Sequence, residues 1–127
     1  VFPAEERRLS STWGGGDLVS CAQGAITIDV IHDQNLMDNA RERGRQFRET
    51  FAGGPSVTDV RGKGLMLAVE FDTKTRRDDV MDAAFARGLL TLGCGRKTLR
   101  ILPPLDVTER EIDLGATLLA EAVDAAS

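Results

Sequence analysis

Apolar residues recur along this chain at two spacings, and the switch between them marks out the elements. After Trp13-Gly14-Gly15-Gly16-Asp17, the residues Leu18, Val19, Ala22, Ala25 and Ile26 fall at helical spacing, so a helix begins near Asp17. The run continues through Ile28, Val30 and Ile31, is apolar enough to predict a largely buried helix, and meets a polar break at His32-Asp33-Gln34. A second helix follows with the stripe Leu36, Met37, Ala40, Gly44, Phe47 and Phe51, stopped by Gly53-Gly54-Pro55. The period then falls to two. Val57 to Arg61 and Leu65, Leu67, Val69 and Phe71 predict two short strands joined by a bend at Gly62.

Helical spacing returns at Val80, Met81, Ala84 and Phe85 and ends at Arg87-Gly88, glycine being the residue best suited to the left-handed conformation past a helix end. Leu89 to Leu92 and Thr98 to Leu102 are apolar runs separated by Gly93-Cys94-Gly95-Arg96-Lys97, which predicts a hairpin stopped by Pro103-Pro104. Thr108-Glu109-Arg110-Glu111 has the spacing of a capping box, and Ile112, Gly115, Ala116, Leu119, Ala122 and Val123 form the stripe of a last helix. The order helix, helix, strand, strand, helix, strand, strand, helix lacks the regular alternation of a doubly wound sheet and predicts an α+β fold. With 127 residues the chain has room for one hydrophobic core.

Composition narrows the function classes. A net charge of -4, one Trp, five Phe and no Tyr leave neither a basic stripe nor stacking platforms, so nucleic acid is not an expected partner. No apolar run approaches the roughly eighteen residues of a membrane span, so no membrane role is expected. Cys21 and Cys94 stand far apart with no Cys-x-x-Cys or Cys/His cluster, which points to two reduced thiols in a cytosol and to no metal site. The opening V-F-P-A-E-E lacks an initiator methionine and suggests a cut or processed chain.

The candidate chemistry centres on Arg100. In T-L-R-I-L-P-P-L, strand alternation sends Leu99 and Ile101 to one face and Thr98, Arg100 and Leu102 to the other. A guanidinium in an apolar run needs an anion, internal or bound, and its planar fork suits a carboxylate. Ser10-Ser11-Thr12-Trp13-Gly14-Gly15-Gly16 places three hydroxyls before a helix N-terminus, where backbone N–H groups and the helix dipole favour an anion; caps and turns alone explain the same residues. His32, the only histidine, sits beside Asp33 at a break between helices, as a surface histidine does. Cys94 reads as a turn residue, and R-G-K-G from Arg61 to Gly64 has no helix after it, as a phosphate loop requires.

Several segments together resemble one family. S-T-W-G-G (Ser11 to Gly15), D-V-R-G-K-G-L-M-L-A-V-E (Asp59 to Glu70), G-L-L (Gly88 to Leu90), L-R-I-L-P-P-L (Leu99 to Leu105) and the T-x-x-E-I helix are similar, in order, to the C-terminal part of class III (ω-amino acid) pyridoxal-phosphate aminotransferases. Trp13 within R-L-x-S-T-W-G-G looks most like the lysine 6-aminotransferase branch. The resemblance implies the small C-terminal domain of a fold-type I transferase, with residues 1–34 as lead-in segment and interdomain helix, residues 35–127 as the small domain, and the large cofactor domain absent. It implies a cytoplasmic homodimer in which Ser11 and Thr12 bind the pyridoxal phosphate held by the neighbouring subunit. It also implies that Arg100 grips a substrate carboxylate, the substrates being an amino acid and an oxo acid such as 2-oxoglutarate.

The family's Schiff-base lysine and the aspartate that pairs with the pyridine nitrogen have no match here. Lys63, Lys74 and Lys97 lie outside any context like that of the nucleophile. The chain alone is therefore expected not to catalyse transamination. Two other readings remain open at this stage: a non-catalytic carboxylate-binding or amino-acid-binding module built on Arg100, and an interaction or oligomerisation domain whose apolar Leu18–Ile31 helix seeks a partner.

Overall fold

In the computed structural model, which describes residues 17–126, the chain divides into two units, one ending at Gln34 and one starting at Asn35. The described part of the first is helix α1, Leu18–Asp33. Its N-terminus is capped from within, the Ser20 N–H donating to Asp17 Oδ2 at 2.9 Å. The sequence predicts a largely buried helix here, yet no residue of α1 is buried, and Leu18, Val19, Ile26 and Ile28 are each more than half exposed. The reason lies in the pattern. A helix apolar on every side needs cover on every side, and the described residues of its unit offer none.

The second unit opens with α2, Leu36–Thr50, entered through Asn35 in the left-handed region at φ 51°. Leu36, Ala40, Gly44 and Phe47 face inward, and the Phe47 and Phe51 rings stack with centroids 5.3 Å apart. Met37, expected in that stripe, points outward instead, because the buried line follows Leu36 and lies a helical step away.

Four antiparallel strands, β1 (Val57–Lys63), β2 (Met66–Phe71), β3 (Leu92–Cys94) and β4 (Thr98–Ile101), form a sheet in the order β1-β2-β4-β3. Both hairpins turn later than the sequence suggests. β1 runs on through Gly62 to Lys63, and the reversal falls at Gly64, φ 54°. Gly93 and Cys94 belong to β3, and the second reversal uses Gly95, φ 57°, while Leu89 to Thr91 lead in without strand pairing.

Helix α3, Lys74–Ala86, is capped by the Thr73 hydroxyl, which accepts from the Arg76 N–H, and α4, Glu109–Ala125, by the full capping box of Thr108 and Glu111. On α3 the buried line is Arg77, Val80 and Ala84; Phe85, expected inside, is 69% exposed. All three helices of this unit pack on one sheet face, where Leu67, Val69, Phe71 and Leu99 meet Val80, Leu119 and Val123 with essentially no exposure. Burying seven such side chains stabilises by about 1.5–3 kcal/mol each, before the entropy of ordering them is set against it. The other sheet face carries no element of this unit.

Candidate functional site

Arg100 lies on that open face. Register places it between Ala68 of β2 and Leu92 of β3, and Arg61 of β1 pairs with Ala68, so one row across the sheet reads Arg61, Ala68, Arg100, Leu92. Leu99, fully buried on the helix side, fixes this orientation by alternation, as the sequence implies.

The two guanidiniums of the row differ in their partners. Arg61 Nη1 reaches Asp59 Oδ2 at 2.6 Å and Glu70 Oε2 at 2.7 Å, and Lys97 Nζ approaches Glu70 Oε1 at 3.4 Å. These contacts, Arg61 foremost, hold the Glu70 carboxyl below its usual pKa. Arg100 has no carboxylate and no side-chain hydrogen bond among the described residues, and its Nε is buried without a partner. A buried unpaired donor of this kind costs about 1–3 kcal/mol, more when charged, so the site favours an anion that supplies two acceptors. The chain that follows is held in place: the Asn39 amide on α2 donates to the Leu105 and Val107 carbonyls at 2.8 and 3.0 Å, pinning the loop after Pro103-Pro104. Asn39 escapes sequence reading, because an asparagine on the polar flank of a helix looks solvated.

An apolar cleft of about 110 Å³ opens on the opposite, helix-bearing side between Phe47, Leu89, Ile101, Val107, Ile112 and Leu119, and Arg100 does not line it. His32 is exposed in the last turn of α1, and Cys21 and Cys94 are free and exposed. Among the described residues, no cluster of ligating side chains suits a metal ion. No described helix is long and apolar enough to cross a membrane.

On the cofactor side, Ser10, Ser11 and Thr12 lie outside the described residues. At the start of α1, Asp17 accepts from both the Ser20 N–H and hydroxyl, contacts that lower its pKa. Of the three lysines, Lys74 pairs with Asp78 at 2.5 Å, Lys97 with Glu70, and Lys63 ends β1 in solvent. None of the three is buried.

The described residues from Asn35 onward form an α+β domain that presents Arg100, without an acidic partner among them, on the sheet face opposite α2, α3 and α4. The aminotransferase class-III family profile matches residues 2–123, and the chain belongs to that family. It is 38% identical over 115 residues to an ornithine aminotransferase of Bordetella pertussis, covering 89% of this chain and 28% of that protein. It is 36% identical over 128 residues to an L-lysine-epsilon aminotransferase of Streptomyces clavuligerus, covering 96% and 28%. Among solved structures, the lysine aminotransferase of M. tuberculosis superposes with a TM-score of 0.80 at 31% identity, covering 98% of this chain and 29% of that one. The α+β architecture is therefore that of part of a fold-type I aminotransferase. The chain spans about 28% of the length of the curated relatives it matches.

Proposed function

We propose that this chain is the C-terminal part of a pyridoxal-phosphate-dependent aminotransferase that moves an amino group from an ω-amino or diamino acid, of the lysine, ornithine or 4-aminobutyrate type, to an oxo acid such as 2-oxoglutarate. Residues 1–34 are the lead-in segment and interdomain helix, and residues 35–127 the small domain; the cofactor domain falls in the part of the relatives that this chain does not span. The observation that carries the reading is Arg100, a cation on the sheet face opposite the helices of its unit, with a buried Nε and no anionic partner among the described residues.

When bound, pyridoxal phosphate supplies the electron sink for moving the amino group. This chain's residues work around it. Arg100 receives the substrate carboxylate through paired hydrogen bonds and so sets the distance from that anchor to the reacting carbon. Ser11 and Thr12 reach the cofactor phosphate of a neighbouring subunit, so the working unit is a homodimer, in the cytoplasm. With no lysine in a suitable setting, the 127 residues alone do not transaminate.

The test is Arg100→Ala in the complete enzyme. Loss of charged hydrogen bonds should raise KM for the oxo acid by about tenfold to hundredfold, with Arg100→Lys falling between. An unchanged KM would sink the assignment, and amino transfer by the isolated chain would sink its inactivity.

A further inference from the structure

Arg77 stands where α3 should carry an apolar side chain. It shares the buried line with Val80 and Ala84 and is only 6% exposed. Its Nε pairs with Asp78 Oδ1 at 2.6 Å, and its Nη1 points to the Thr98 carbonyl at 3.4 Å. Its guanidinium also lies under Gly93: a Cβ built there would meet Arg77 Cζ at 3.1 Å and overlap Nη1. Glycine weakens a strand and marks a close approach, and here the approaching group is this guanidinium.

A buried ion pair is poor support for stability, since an aliphatic side chain of similar volume does as well or better. What methionine cannot do is donate to β4 while filling the space beside β3. Arg77 therefore touches both strands of the hairpin, at Gly93 and at Thr98, and Gly93 pairs with Leu99 in the rung next to Leu92 and Arg100. β3 has three residues, all exposed, and little else to hold it.

We propose that Arg77 is a positioning residue: wedged under Gly93 and bonded to Thr98, it fixes the β3–β4 hairpin and thereby the direction in which Arg100 is presented to a carboxylate. This rests on the substrate role proposed above for Arg100.

In the complete enzyme, Arg77→Met keeps the bulk and removes the donors. It should raise KM for the oxo acid about tenfold with kcat within about twofold, because ångström-scale misplacement of a binding group costs up to 10²-fold. Arg77→Lys should recover part of the loss. Gly93→Ala should give the same KM rise by displacing the guanidinium, and should add little in an Arg77→Ala background where the space is free. Should Arg77→Met fail to fold, Arg77→Lys and Gly93→Ala carry the comparison. Unchanged KM in these variants, or additive effects in the double variant, overturns the proposal. Arg100→Ala separates the two failures. If it leaves KM unaltered, the substrate role of Arg100 is lost, and the anchor is read from amide hydrogen exchange alone. Faster exchange across residues 92–101 in Arg77→Met then upholds the anchoring, and unaltered exchange overturns it.

Discussion

Thr108 and Glu111 show how much a single residue settles at a helix end. The Thr108 N–H donates to Glu111 Oε2 at 2.8 Å, and the Glu111 N–H to the Thr108 hydroxyl at 3.3 Å. Thr108→Ala should cost about 1 kcal/mol, measured by urea unfolding near pH 7. The Thr108 backbone N–H first, and then the Thr108 hydroxyl, which donates to Glu111 Oε2 at 2.7 Å and is lost in Thr108→Ala, hold the Glu111 carboxyl below its usual 4.5. A depressed folded pKa gives stability that is present above 4.5 and lost as pH falls through the folded value, so the wild-type advantage over Thr108→Ala should shrink in acid. An advantage that grew below pH 4.5 would contradict this. The box is legible in sequence because both partners lie three residues apart. Arg100 is legible for another reason, as a charge out of place in an apolar run. Arg77 is not: in K-T-R-R-D-D nothing marks one arginine as buried. Only the start of α3 at Lys74 sets the helical phase that turns Arg77 inward and Phe85 out.

The elements themselves follow the periodicity, and the turns between them do not. Glycines come in pairs two apart, Gly62 with Gly64 and Gly93 with Gly95, and a sequence does not say which of each pair reverses the chain. In both hairpins it is the second that takes positive φ near 55°, while the first sits inside a strand where another group approaches. Another glycine serves packing. Gly44 of α2 lies against the Gly64 carbonyl, and a Cβ there would overlap backbone that cannot swing aside. Gly44→Ala gains up to about 1 kcal/mol of helix propensity yet should destabilise by about 1–3 kcal/mol net, through the forced shift of α2 off the β1–β2 turn. A raised urea midpoint would show instead that the helix accommodates the methyl.

At the scale of the whole molecule, α1 is the segment whose sequence and exposure disagree. Soluble monomers rarely leave such apolar surface in water, so the isolated chain should associate as its concentration rises, and replacing Ile26 and Ile28 by Ser should weaken that association. Sedimentation velocity across a concentration series reads it; a concentration-independent monomer in both proteins would mean that α1 finds cover within its own chain. The exposed thiol of Cys94 offers a different use of the fold. Strand pairing puts Cys94 opposite Thr98 on the sheet face that carries Leu92 and Arg100. With Cys21 changed to Ser, a fluorophore attached at Cys94 would stand two rungs from Arg100 on the same sheet face and would signal an arriving carboxylate by its emission, making the sheet edge an optical reporter of its own occupancy.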